Sequence, residues 1–283
     1  MLGSGCSEGV PVPGCTCKGC SLGIRRRRTG YVVESKYTRV WLDIGPDFRE
    51  QLLEYGHLPD AIFISHKHYD HIDGLSDLRQ ILIVSGGRGR YRPILLVPRH
   101  LHRALMHDPS HVETSIGAYK DLYSTSAADF VMLDEDQAVV LNDVTLRTFS
   151  LRHGKIYSAA LYLATEDASI LYLSDAEKVS AKLISFLDAV GGVDLVIVHA
   201  PYLAKMSGHM SIDDALKIPA RAYLVSHISH LVDMTPVEID AYLRERYGEN
   251  VFSAVDGLVV HVDHNQVSAR RTALNTARSY YLR

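Results

Sequence analysis

Along this chain short apolar blocks alternate with polar turns, and their spacing switches between a period of two and a helical period. Short β-rich runs at 31–34 and 39–44 predict two strands. Pro46 then suits a first helical turn, and the pattern predicts a helix to about Tyr55, where Gly56 stops it. A short buried strand at 61–64 leads into a run of histidines, 94–97 predicts another strand, and 99–106 a helix. The middle is β-rich: 138–141 and 144–150 flank Asn142-Asp143, and 158–164 and 169–174 flank Glu166-Asp167, two hairpin signals. Helix and strand then alternate, with helix 180–190, strand 194–199, helix 211–218 and strand 222–226. A last helix over 235–247 has Thr235 as its cap and Pro236 at its first position. Two β-rich halves, each followed by helices, predict an α/β protein in which a sheet sandwich carries helices on both outer faces.

Composition changes this picture only at the margins. No apolar run approaches the roughly 18 residues of a spanning helix, which argues against a membrane protein. Glu8, Pro11 and Pro13 break up any signal-peptide core, so a cytoplasmic protein is expected. The 30 basic and 33 acidic residues leave a net charge of −3, which disfavours a general nucleic-acid coat while leaving a local basic patch open. With no repeat and no long linker, 1–264 reads as one domain and 265–283, rich in arginine and free of acid, as a basic tail, either a surface helix or loose. The first thirty residues, with six glycines, read as loop. All four cysteines lie there, and Cys15, Cys17 and Cys20 are too close together to staple distant segments, so metal binding fits them better than a disulfide framework. Cys6 reads as a spare small residue in a glycine turn.

The candidate chemistry sits in His66-Lys67-His68-Tyr69-Asp70-His71, directly after a predicted strand. Three imidazoles and a carboxylate in six residues can grip borderline divalent cations such as zinc or manganese. His66 and His68 can face one ion while Asp70 and His71 turn toward a second; a merely solvated polar loop is the bland alternative.

This run resembles the signature of the metallo-β-lactamase superfamily of metallohydrolases, and other segments resemble its remaining motifs in order. The resemblance, over residues 1 to about 262, implies an αββα four-layer sandwich with two divalent metal ions, zinc or manganese. It implies that His66, His68 and His153 hold one ion, that Asp70, His71 and His227 hold the other, and that Asp175 bridges them. Asp43, closing the strand Val40-Trp41-Leu42, is implied to orient the ligand histidines from behind. A hydroxide bridging two cations about 3.5–4 Å apart would then attack an electrophilic centre, with no protein nucleophile needed.

Cys15-Thr16-Cys17-Lys18-Gly19-Cys20 and Ser226-His227-Ile228-Ser229-His230 narrow the resemblance to the phosphoribosyl cyclic phosphodiesterases of the carbon–phosphorus lyase pathway. That likeness implies a structural zinc held by Cys15, Cys17, Cys20 and His230, pinning the glycine-rich loop to the strand end that carries His227. It also implies a catalytic role for Asp70 and for His209, the latter near the leaving group.

Other signals are weighed down. Arg25-Arg26-Arg27-Arg28 reads as a solvated charged face more than as a phosphate contact. His100, His102, His107 and His111 read as exposed, and His57, His199, His261 and His264 as structural. The expected activity is therefore a dinuclear metal-dependent hydrolase acting on a small or cyclic phosphodiester, with a homodimer left open. The alternatives are a ribonuclease Z-like, lactonase or thioesterase activity of the same superfamily, and a non-catalytic carrier resembling the pyrroloquinoline-quinone-pathway protein.

Overall fold

The computed structural model describes residues 1–86, 91–109 and 114–271. Five strands form one sheet in the order β1 (Tyr31–Glu34), β2 (Arg39–Leu42), β3 (Ala61–Phe63), β4 (Ile94–Pro98) and β5 (Asp129–Leu133). The first pair is antiparallel and the rest parallel. A second sheet of seven strands runs from β6 (Val139–Leu141) through β7 (Val144–His153), β8 (Ile156–Ala164), β9 (Ser169–Leu173), β10 (Val193–His199) and β11 (Ala220–Ser226) to β12 (Val251–Ser253). Its β6–β9 part is a meander and its β9–β12 part is parallel. A small hairpin joins β13 (Leu258–Val262) to β14 (Val267–Arg271).

Side-chain alternation makes the layers. In β2–β4, Val40, Leu42, Phe63 and Leu96 face the other sheet, while Trp41, Ile62, Leu95 and Val97 face outward. In β10 and β11, Leu195 and Leu224 face inward, and Val196, Val198 and Val225 outward. Both faces are buried, which is why these strands read as continuous apolar runs. The outer face of the first sheet is covered by α4 (Gly74–Gly86), α5 (Arg99–His107) and α6 (Ser115–Ser124), through Leu75, Leu78, Leu101, Leu105, Tyr119 and Leu122. The second sheet is covered by α7 (Ala181–Val190), α8 (Ile212–Ala215) and α9 (Pro236–Tyr247). The shorter α1 (Lys18–Ser21), α2 (Phe48–Tyr55) and α3 (Tyr69–Ile72) lie in the connections. This is the expected helix–sheet–sheet–helix sandwich. Among the described residues, no helix is long and apolar enough to cross a membrane.

Several elements depart from the sequence reading. The helix expected over 211–218 is a single turn, α8, because Pro219 leads straight into β11. The helices α4 and α6 and the strand β5 were not anticipated. Residues 267–271, expected as surface helix or loose tail, pair with β13 as β14; residues 272–283 lie outside the described residues. The helix over 235–247 is capped as expected, with Thr235 and Glu238 forming a reciprocal capping box.

In both sheets the parallel strands end at one edge. Asp43 follows β2, His66 follows β3, Asp175 follows β9, His199 closes β10 and His227 follows β11. The fold thus delivers five polar side chains from distant sequence positions to one place, the carboxyl ends of parallel strands.

Candidate metal centre

The predicted histidines and aspartates converge around Asp175. His66 Nε2 lies 3.7 Å and His153 Nε2 3.5 Å from Asp175 Oδ2, and His153 Nε2 is 3.2 Å from His68 Nδ1. On the other side, His71 Nε2 is 3.7 Å from Asp175 Oδ2 and 3.4 Å from Asp70 Oδ2. His227 Nε2 is 3.6 Å from both Asp70 Oδ2 and Asp175 Oδ1. The geometry therefore separates two donor groups that share Asp175, one with His66, His68 and His153, the other with Asp70, His71 and His227.

The outward nitrogens of four of these rings are fixed. His71 Nδ1 donates to Asp43 Oδ2 at 2.7 Å, and His153 Nδ1 to the Gly208 carbonyl at 2.7 Å. His66 Nδ1 meets Ser65 Oγ at 2.9 Å, and His227 Nδ1 meets Thr29 Oγ1 at 3.0 Å. The Asp43 and Gly208 bonds require a hydrogen on Nδ1 of His71 and His153, and the Ser65 hydroxyl, committed to Asp43, receives one from His66; the Nε2 atoms of all four rings point inward toward Asp175. Asp43, fully buried, is the hub: it also accepts from the Ser65 amide, Ser65 Oγ and Tyr172 Oη at 2.6–2.7 Å. Inside the cluster, His66 Nε2 and His71 Nε2 are buried without any hydrogen-bond partner. Buried polar atoms are rarely left so, and a cation between these donors would supply the missing partner. The nitrogen and carboxylate donors are of the kind that hold divalent cations.

Electrostatics agree with that chemistry. Burial drives His66 and His68 below the usual histidine range, keeping them neutral. Burial opposes the charge on Asp70, but His71 and His227 outweigh it and bring the carboxyl to about 2. Asp175 is likewise held well below the carboxylate range by His227 and His199 against its burial. Neutral imidazoles and ionised carboxylates are the forms that bind metals. His71 is the exception: burial opposes its charge, but Asp70 and Asp43 outweigh it and hold the ring well above the histidine range, so an ion at its Nε2 would displace a proton.

Two more histidines face the cluster. His209, on the loop before α8, has Nδ1 3.9 Å from Asp175 Oδ1 and its ring 4.8 Å from that of His153. Burial brings it to about 4, so it is neutral, and its Nδ1 has no partner. His199, which the sequence reading set aside as structural, lies at the centre. Its Nδ1 is 2.9 Å from Asp175 Oδ1, its Nε2 2.9 Å from Tyr31 Oη, and its ring is stacked on His227 at 4.6 Å. Its ring nitrogen lies with the donor atoms of His71, Asp175 and His227 within 4.8 Å of one another, although both its nitrogens are engaged by Asp175 and Tyr31, while Asp70 Oδ2 stands 3.4 Å from His71 and 3.6 Å from His227. Only its place at the end of a strand between those bearing Asp175 and His227 could have flagged it.

A second cluster gathers Cys15, Cys17, Cys20 and His230. His230 Nδ1 lies 3.2, 3.5 and 3.9 Å from the three sulfurs. A tetrahedral zinc with Zn–S of about 2.3 Å and Zn–N of about 2.0 Å places such atoms roughly 3.5 Å apart. The four donors are thus in position for one zinc ion.

Elsewhere the structure corrects the sequence reading. The arginine run is not a solvated face. Arg27 is buried between Glu54 (2.7 Å) and Asp256 (3.2 Å), Arg28 forks onto Asp47, Arg25 pairs with Glu50, and Arg26 is buried near the Ser229 carbonyl. His100 and His102 are half-buried rather than exposed, His102 bonding Tyr119 Oη at 2.8 Å. His107 is exposed, and His111 lies outside the described residues. His264 bonds Asp194 at 3.0 Å.

A four-layer sandwich with paired histidine and aspartate groups at its strand ends defines a metallohydrolase class. Residues 38–228 match the beta-lactamase superfamily domain, and the chain belongs to that superfamily of metal-dependent hydrolases. The crystal structure of a diphosphatase from the PhnP family is 27% identical, with a TM-score of 0.71 over 90% of this chain and 92% of that one. Zn²⁺-bound PqqB from Methylobacterium extorquens shares the fold, with a TM-score of 0.68 and 15% identity over 90% of this chain and 96% of that one. An octanoyltransferase from Porphyromonas gingivalis is 25% identical over 290 residues, 99% of this chain and 55% of that protein. The chain spans about half the length of that relative.

Proposed function

We propose that this chain is a dinuclear metal-dependent hydrolase of small phosphodiesters, cyclic ones included. The observation that carries the reading is the pair of inward-facing donor groups sharing Asp175, with the outer nitrogens of His66, His71, His153 and His227 each held by a separate protein group. When bound, two cations would supply an activated water and neutralise charge developing on the phosphoryl oxygens. The protein's part is to hold that geometry. Asp175 presents Oδ2 to His66, His71 and His153, and Oδ1 to His227. Asp70 completes the second group. His209, neutral and with an unpartnered Nδ1, is placed to hydrogen-bond a phosphoryl or leaving-group oxygen, acting as a neutral partner rather than an imidazolium acid. The likeness to a diphosphatase supports attack at phosphorus. Cys15, Cys17, Cys20 and His230 would hold a structural zinc that fastens the N-terminal loop beside His227.

A second reading is hydrolysis of acyl esters, suggested by the relative that bears an octanoyltransferase name. Nearly half of that protein lies outside the match, so its acyl chemistry has room to reside there. The two readings separate on metal-stripped protein reloaded with Mn²⁺ or Zn²⁺ and offered bis(p-nitrophenyl) phosphate or p-nitrophenyl octanoate, with Asp175→Ala as control. Metal-restored cleavage of the phosphodiester, abolished in the variant, is expected. Cleavage of the octanoate alone would replace the phosphodiester reading, and silence on both would favour a non-catalytic carrier role.

A further inference from the structure

We infer that His199 is a positioning residue that fixes the shared carboxylate Asp175, an assignment that rests on the reading of Asp175 as the group between two cations. Three adjacent parallel strands, β9, β10 and β11, end side by side, and Asp175, His199 and His227 stand at those ends. His199 is fully buried at the end of β10, directly after the apolar run 195–198. An imidazole there has no packing advantage over leucine, so its polar atoms need a reason. Both are used. A carboxylate only accepts, so Nδ1 carries the hydrogen and donates to Asp175 Oδ1 at 2.9 Å. Nε2 lies 2.9 Å from Tyr31 Oη, and that phenol donates to Ser226 Oγ at 2.8 Å, so the far side of the ring is anchored in turn.

That arrangement is asymmetric. Oδ1 receives an N–H and lies 3.6 Å from His227 Nε2, whereas Oδ2 receives none and faces His66, His71 and His153. The N–H occupies one lone pair of Oδ1 and sets the rotation of the carboxylate plane, so that each oxygen aims its remaining electrons at a different donor group. The same ring stacks on His227 with 7° between planes, holding that imidazole from its face while Thr29 holds it from its edge. One residue therefore aligns two groups of the centre without touching an ion, the role that partners of metal ligands play elsewhere, at a cost of 10–100-fold in affinity when removed.

The test is metal binding by the full chain, with activity as a separate readout. Zn²⁺ and Co²⁺ affinities and stoichiometry are measured by competition with a chromophoric chelator for wild type, His199→Leu and His199→Asn. Asparagine places an amide N–H where Nδ1–H stands; leucine fills the space without one. The expected result is a 10–100-fold weaker hold on the less tightly bound active-site cation in His199→Leu, with a changed Co²⁺ absorption spectrum, and an asparagine variant within about threefold of wild type. Equal affinity in leucine and wild type, or equal loss in asparagine and leucine, would overturn the inference. Should the leucine variant fail to fold, Tyr31→Phe serves, since it leaves the ring in place but removes its anchor; affinity unchanged in that variant would also overturn the inference. A wild type that binds two active-site cations but cleaves no phosphodiester would refute the proposed substrate alone and leave these comparisons decisive. A wild type holding no such pair would refute both.

Discussion

Asp43 illustrates how much one side chain can carry. It sits at a positive φ of 55°, unusual for a non-glycine residue, and every oxygen lone pair it directs inward is used by Ser65, Tyr172 or His71. A strained backbone is tolerable where the surrounding contacts over-determine it. Removing this carboxylate leaves a tyrosine hydroxyl, a serine hydroxyl, an amide and a ring nitrogen buried without an acceptor. Asp43→Ala should therefore cost about 3 kcal/mol or more in denaturant unfolding and weaken active-site metal binding by about 10–100-fold. Wild-type metal affinity in a folded variant would mean that His71 is held by packing alone. At this scale the sequence was partly legible. His66, His68, Asp70 and His71 are neighbours, so their joint purpose shows in a six-residue window. His199 did not show, because its partners Asp175 and Tyr31 are 24 and 168 positions away and its own neighbours are apolar.

At the scale of elements, the strands were more legible than the helices between them. Strands buried on both faces leave unbroken apolar runs, and hairpins such as the one at Asn142 leave turn residues at a positive φ. The helix α4 begins at Gly74 and carries the apolar run 81–84, which its pattern does not separate from a strand. The helix α2 hides a different device. Its N-cap Asp47 makes no capping bond, because its carboxylate instead takes the amide, Nε and Nη2 of Arg28 at 2.6–2.8 Å. Burial opposes the charge on Asp47, but Arg28 prevails and holds its pKa below the ordinary value. With the folded pKa depressed, the stabilisation is complete above the unfolded value of about 3.9 and is lost as pH falls through the folded value. Asp47→Asn should thus be about 1–2 kcal/mol less stable between pH 5 and 8, and the gap should close below about pH 4. A gap independent of pH would show that the ion pair is not its source.

At the scale of the molecule, the first thirty residues form a strap drawn across the strand ends by contacts remote in sequence. The Met1 amine donates to the Leu258 carbonyl, Ser4 and Arg27 both bond Asp256, and Gly5 bridges to Ile228. Glu8 accepts from Ser229 Oγ at 2.5 Å, and the Ser7 carbonyl accepts from Tyr69 Oη at 2.6 Å, beside the histidine run. The strap has few apolar side chains to bury, so its order must come from these polar anchors and from the cysteine cluster, where zinc binding would add directly to folding free energy. His230 belongs to that cluster and His227 to the active-site group, three residues apart on one turn, so loosening the first should disturb the second. Cys17→Ser is expected to lose one zinc per chain, to open 1–30 to limited proteolysis, and to weaken the active-site cation held beside His227. Cys6→Ser is the control: that thiol is buried and is not among the four converging donors, so zinc content should not change. If Cys17→Ser keeps its zinc and its protection, the polar anchors alone hold the strap and the cysteines serve another purpose. If zinc is lost and the strap opens while the active-site affinity stays fixed, then Thr29 and the stacked His199 are enough to hold His227, and the two metal sites are independent despite sharing one turn of chain.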